Sequence, residues 1–271
     1  MSYIDVFFYG ALQGVSEFLP ISSSAHLFLL ERFFDLAHVP PFMETAVHFG
    51  SLGVLLVYFK KEVGQLIRGS LSIATQRKRP EDTSFFSILV LSCLPAIFFG
   101  FFLNKTLGRT VFERLDIIAW MTLLFGALLV MADFFPQKYK IKDISRSQAL
   151  LGWGLAQCLA FIHGVSRSGI CMTYGRLSHY KRQDAVRFAF LMALPTLAGA
   201  SMLKGYALFT SGTELALDIM ALGIFSSFCV GMVVIHVIIS FINTPFLRAL
   251  GAYRMVLGAL LLAGIYGWGW H

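Results

Sequence analysis

Six stretches of about 20 residues, nearly all apolar and each bounded by polar or charged residues, decide what solvent this chain can live in. Runs of that length match the hydrocarbon core of a bilayer, about 30 Å thick. They cover residues 42 to 59, 84 to 104, 115 to 135, 187 to 207, 216 to 241 and 249 to 270. Their apolar residues are uninterrupted rather than set at amphipathic spacing, so they are read as spans and not as faces of a soluble core. Hydrophobic residues make up 57% of the 271-residue sequence and charged residues 14%, against about 25% charged in soluble domains. A water-soluble fold is excluded, and residues 1 to 271 read as a single membrane domain.

Two further apolar segments, residues 3 to 38 and 149 to 180, are broken near their middles by Pro, Gly and clustered Ser. They read as re-entrant broken helix pairs. Placing Gln13 over Gln157 sets Ser22 over Ser166 and Ser24 over Ser168, with Pro20 and Gly164 as the breakers. Each half, about 1 to 135 and 149 to 271, then holds one broken segment and three spans. An odd number of crossings makes the second half enter from the opposite side. The fold class expected is therefore all-α and polytopic: six full transmembrane helices plus two re-entrant broken helix pairs in an inverted repeat. Such repeats place polar sites near the midplane, where broken helices meet.

Lys and Arg outnumber Asp and Glu by 22 to 15. The excess lies between the apolar runs, which marks topology and phospholipid contact and not a nucleic-acid surface. Residues 60 to 79 carry Lys60, Lys61, Arg68, Arg77, Lys78 and Arg79; residues 138 to 146 carry Lys138, Lys140, Lys142 and Arg146. Both connections are expected on the cytoplasmic side, and residues 208 to 215, which lack Lys and Arg, outside. Lys105, Arg109 and Arg114 run against this assignment and are partly offset by Glu113 and Asp116. Cys93, Cys158, Cys171 and Cys229 form no close pair, so they read as packing residues. The first residues carry Asp5 in place of a basic region, which argues against a removable signal peptide.

The polar residues inside the broken segments carry the chemistry. Gln13 and Glu17, four apart, share a helical face. A carboxylate at membrane depth costs a few kcal/mol against lipid, so Glu17 is expected to face a cavity. Pro20 stops the helix and the run Ser22, Ser23 and Ser24 restarts it, aiming free amides at the break, an arrangement suited to a phosphate. His26 lies three residues beyond Ser23, within expected reach of its hydroxyl as base and nucleophile. In the second break, His163-Gly164-Val165-Ser166-Arg167-Ser168 sets a guanidinium between two hydroxyls, a fork for phosphate oxygens with Glu17 as its counter-ion. His38, His48, His179, His236 and His271 show no ligand spacing and read as packing, interfacial or terminal residues. Arg254, near a span boundary, is expected to snorkel to the interface.

These residues resemble the undecaprenyl-diphosphate phosphatases, also called bacitracin-resistance proteins. That family's first motif, Glu or Gln, three residues, then Glu, leads into a Ser-rich turn and a His, here Gln13, Glu17, Ser22 to Ser24 and His26. Its second reads Pro-Gly-x-Ser-Arg-Ser-x-x-Thr, matched at Gly164, Ser166, Arg167 and Ser168. His163 replaces the Pro and Cys171 the Thr, with Thr173 as a stand-in two residues on. Further similarity runs from Glu44 to Ser51 and around Tyr253 and Arg254.

The resemblance implies hydrolysis of undecaprenyl diphosphate to the monophosphate carrier lipid used in cell-wall (peptidoglycan) synthesis, in the bacterial cytoplasmic membrane, with the site opening to the periplasmic face. By position, Ser23 is the candidate nucleophile, His26 a proton-transfer partner and Arg167 the clamp on the transferring phosphoryl group. Gln13, Ser22, Ser24, Gly164, Ser166 and Ser168 would bind substrate. Glu17 and Gln13 would hold a divalent cation, Mg²⁺ first and Ca²⁺ as the alternative. The partners implied are a polyprenyl diphosphate lipid, membrane lipids and a second copy in a homodimer. A transporter or flippase of polyprenyl phosphate lipids, a phosphatase of shorter lipid diphosphates and an inactive scaffold are the competing readings.

Overall fold

The computed structural model describes residues 2–33, 39–76, 79–106, 114–210 and 216–268. Arg77, Lys78, Arg109, Glu113, His38 and His271 lie outside the described residues, as do residues 211 to 215 of the connection expected outside. The described chain is helical and carries no β-strand beyond one isolated bridge, Tyr139 to Tyr180.

The first broken segment folds as α1 (Tyr3–Ser16) and α2 (Ser23–Phe33), joined by a tight turn. Then come α3 (Pro41–Tyr58), α4 (Lys60–Ala74), α5 (Pro80–Thr106) and α6 (Leu115–Ala132). The second broken segment opens in π geometry over Gln148–Gly154, continues as α7 (Leu155–Cys158) and ends in a 3₁₀ turn over Leu159–Phe161. It returns as α8 (Arg167–Leu177), followed by α9 (Arg182–Thr210), α10 (Leu217–Phe241) and α11 (Phe246–Trp268).

Among the described residues, α5, α6, α9, α10 and α11 are long and apolar enough to cross a membrane, and α3 with α4 makes a sixth candidate bent by 86°. The protein is a multi-pass membrane protein. Residues 60 to 74, expected as a cytoplasmic loop, are instead α4, an amphipathic helix. Its charged residues alternate with apolar ones at helical spacing, so one face can pack on α5, to whose Asp82 Arg68 donates at 3.3 Å, while Lys60 and Lys61 stay exposed.

Small residues let the helices approach closely, as they do in membranes where lipid gives no hydrophobic drive to association. In the α1–α10 pair, a Cβ added at Gly14 would lie 2.7 Å from the Ser227 carbonyl oxygen. In the α6–α11 pair, one at Gly258 would lie 2.7 Å from the Leu123 nitrogen and 2.8 Å from the Ala119 oxygen. α1 packs on α10 while the Gln148–Cys158 stretch packs on α5, and α3 meets α9.

Polar ties set the two ends. At one, Asp133, whose side chain is fully buried, pairs with Arg182 at 2.6 Å, Arg248 at 3.0 Å and Arg176 at 3.5 Å. Glu62 of α4 pairs with Arg187 at that same end. The basic connections around Lys60 and Lys138 therefore share an end, as the span count requires. At the other end, Tyr3 donates a 2.7 Å hydrogen bond to Asp218, and Lys204 pairs with Glu44.

Candidate active site

The two breaks share a local design. After Pro20 and after Gly164 (φ 95°), the chain re-enters helix through a serine in left-handed backbone, Ser22 at φ 76° and Ser166 at φ 70°. Such a conformation costs a non-glycine residue roughly 1–3 kcal/mol and persists only where its surroundings hold it. Ser166 Oγ accepts a 3.1 Å bond from the Gly169 amide, capping α8. The Ser22 and Ser24 hydroxyl oxygens lie 3.2 Å apart, as do those of Ser166 and Ser168. Ser168 Oγ also donates to the Leu19 carbonyl at 3.2 Å, joining one break to the other.

Where the breaks meet, Glu17 gathers the reactive groups. It is 7% exposed. Its Oε2 accepts from Ser23 Oγ at 2.8 Å and from Gln13 Nε2 at 2.9 Å, while its Oε1 accepts from an Arg167 NH2 at 2.6 Å. Arg167 spans onward to Thr196 Oγ1 at 3.0 Å and the Ala193 carbonyl at 3.4 Å. Ser23 and Arg167 are the first residues of α2 and α8, so both sit at positive helix ends.

These groups line a cavity of about 270 Å³. Its polar wall holds Glu17, His48, Gln157, Arg167, Thr196 and the six serines Ser16, Ser22, Ser23, Ser24, Ser166 and Ser168; Ala96, Ala160, Phe161, Leu197 and Ala200 make the apolar wall. Gln13 stands behind Glu17, and Gly164 contributes its backbone to the second turn.

Several expectations change. The imidazole of His26 does not meet Ser23: its Nδ1 lies 2.9 Å from the Ser22 carbonyl and its Nε2 2.8 Å from the Tyr253 hydroxyl. One turn back along α2 the carbonyl of Ser22 captures the ring, and Ser23 turns to Glu17 instead. Arg254 does not snorkel. Eight residues into α11, about 12 Å at 1.5 Å per residue, it is fully buried. One guanidinium nitrogen donates to the Pro20 carbonyl at 3.2 Å, the other to Gly164 at 2.7 Å and Val165 at 2.9 Å, clasping both breaks. Thr173 is no stand-in at the site, since its hydroxyl bonds the Gly169 carbonyl of its own helix at 2.8 Å, and Cys171 is buried in the core. His48, read as packing, lines the cavity. An arginine well inside an apolar span was the available signal for Arg254; Thr196 carried none.

Among the described residues no group of three or more His, Cys, Asp or Glu gathers around a point where an ion could sit. The oxygens suited to a hard cation include the Glu17 carboxylate and two buried amide oxygens without a hydrogen-bond partner, Gln13 Oε1 beside it and Gln157 Oε1 of a cavity-lining side chain. They fit an ion whose other ligands come from water or a bound phosphate.

The sequence profile of the family described as bacitracin resistance protein BacA matches residues 6–260. The chain belongs to this family. Relatives named undecaprenyl-diphosphatase match over almost their whole length. The one from Teredinibacter turnerae is 36% identical over 98% of this chain and 100% of its own. That from Erythrobacter litoralis is 33% identical over 97% and 99%, and that from Alcanivorax borkumensis 33% identical over 97% and 98%. In this BacA-family chain both breaks, the Glu17 cluster and Arg254 all lie inside the matched residues.

Proposed function

We propose that this protein is an integral membrane phosphatase that hydrolyses undecaprenyl diphosphate to undecaprenyl phosphate and inorganic phosphate, recycling the carrier lipid for cell-wall synthesis. The observation that carries this reading is the chain of contacts Ser23 to Glu17 to Arg167 at the wall of a cavity: a hydroxyl on one oxygen of a carboxylate base, with a cation fixed on the other. A carrier would need the charge but not a hydroxyl bonded to a base. The names of the relatives support the same substrate.

In the first step the terminal phosphoryl group rests between Arg167 and the serines of the two turns. Arg167 and the amides opening α2 and α8 stabilise its charge. Ser23 Oγ attacks the terminal phosphorus, its proton passes to Glu17 Oε2, and the bond to the bridging oxygen breaks. Undecaprenyl phosphate leaves as an anion, and phosphoserine remains. Ser22, Ser24, Ser166 and Ser168 bind phosphate oxygens, and Gly164 keeps the second turn open. His26, tied to Ser22 and Tyr253, positions the turn that presents Ser23. A divalent cation, Mg²⁺ or alternatively Ca²⁺, would be held by Glu17 and Gln13 and would supply neutralisation of the diphosphate charge.

The lipid tail lies against Ala96, Phe161, Leu197 and Ala200 and out between spans. The two halves are related as an inverted repeat, a reading supported by the paired breaks and by α1 on α10 answering the Gln148–Cys158 stretch on α5. The basic end faces the cytoplasm, in the bacterial inner membrane, and the cavity opens to the periplasm. The test is phosphate release from undecaprenyl diphosphate by detergent-purified protein. Release by the parent and none by Ser23→Ala or Arg167→Ala supports the reading; none from folded parent protein overturns it.

A further inference from the structure

We propose that His48 is a further catalytic residue, the base that activates water to release phosphate from phosphorylated Ser23; this rests on the hydrolytic reading above. The need for it follows from proton bookkeeping. Glu17 takes the proton of Ser23 in the first step and must return it to the serine oxygen when the phosphoserine bond breaks. It cannot take the proton of the attacking water at the same moment. A second acceptor completes the cycle, and among the described residues lining the cavity His48 is the titratable side chain other than Glu17 and Arg167. A guanidinium has donors and no acceptor, so Arg167 offers no base.

The geometry suits the task. Nδ1 of His48 lies 2.6 Å from the Glu44 carbonyl. A carbonyl only accepts, so Nδ1 carries the hydrogen and the neutral ring keeps its lone pair on Nε2. His26 spends its second nitrogen on Tyr253; Nε2 of His48 has no hydrogen-bond partner among the described residues. The ring is also held in place. Its neighbour Val47 accepts a 2.9 Å bond from Ser227, Ser51 meets Ser227 at 3.1 Å, and α3 is thereby pinned to α10 on either side of His48.

In the second step, water attacks the phosphorus of phospho-Ser23 and gives a proton to His48 Nε2. The bond from phosphorus to Ser23 Oγ breaks, and Ser23 recovers its proton from Glu17. Inorganic phosphate leaves, and the imidazolium returns its proton to solvent.

The experiment is rapid-quench kinetics with undecaprenyl diphosphate labelled in its terminal phosphate, on the parent, His48→Ala, His48→Gln and Ser23→Ala. His48→Ala is expected to release one equivalent of undecaprenyl phosphate, to hold labelled phosphate on Ser23, and to turn over about 10²–10⁴-fold more slowly. Added imidazole should discharge the trapped label. His48→Gln keeps a donor for the Glu44 carbonyl and should trap label in the same way. Turnover within threefold of the parent with no label retained would overturn the proposal. So would loss of the first burst in folded His48→Gln, which would move His48 to the first step. Failure of the parent itself to release phosphate removes the hydrolytic reading, an outcome distinct from either.

Discussion

Ser22 and Ser166 enter their helices through the same left-handed backbone, at φ 76° and φ 70°, and each hydroxyl lies 3.2 Å from that of the serine two residues on. Two turns far apart in the chain thus present equivalent hydroxyls and amides to one cavity. At Ser166 the hydroxyl also caps α8, so backbone strain and capping can be separated. Ser166→Ala should lose about 1 kcal/mol for the cap, while Ser166→Gly loses only a few tenths of that loss because glycine accepts positive φ. Thermal unfolding in detergent should rank parent, Gly, Ala; Ala as stable as Gly would refute the assignment.

The Arg254 clasp predicts a stability effect from a residue outside the cavity wall. Arg254→Met leaves the Pro20, Gly164 and Val165 carbonyls buried without a donor, at about 1–3 kcal/mol each in the worst case. A loss of about 3 kcal/mol or more is expected, with Arg254→Lys intermediate because it lacks the planar fork. Unfolding curves indistinguishable from the parent's for Met would show that the clasp contributes nothing.

For Asp133, the stabilising charge is shared among three arginines. Asp133→Asn should destabilise the protein by about 3–5 kcal/mol, the effect of breaking a buried pair. Its rate per folded molecule should stay at the parent's value, since none of Asp133, Arg176, Arg182 and Arg248 lines the cavity. Comparing unfolding temperature with activity of the folded fraction separates the two.

Glu17→Gln removes the acceptor of the Ser23 proton while keeping the shape of the side chain. Phosphate release should fall about 10²–10⁴-fold. Binding of undecaprenyl diphosphate should persist, because Arg167 and the serines remain; equal turnover by the variant would exclude Glu17 as base.

Gly258→Ala tests the close approach of α6 and α11. The added carbon meets backbone atoms at 2.7 and 2.8 Å, so the helices must separate, at about 1–3 kcal/mol. An unchanged melting temperature would mean the pair relaxes freely.

What was legible in the sequence was set by local rules and by the solvent. Apolar runs of span length, helix breakers at Pro20 and Gly164, and serines able to restart a helix act through neighbouring residues, so the five long spans α5, α6, α9, α10 and α11 and both breaks were already written in the chain. Glu17 and Arg167 were legible too, because an ionised group among apolar residues has few places to go. The rest depended on which helix lies beside which. His26 reaches Tyr253, 227 residues away, and so does not turn to Ser23. Arg254 is buried because α11 sets it behind both breaks, whose carbonyls lost their helical donors there. His48 faces the cavity because α10 pins α3. The sequence by itself determined the elements, the solvent and the broken turns; only the tertiary structure decided which polar atoms met, because in lipid an unpaired donor or acceptor must find its partner across helices and not in water.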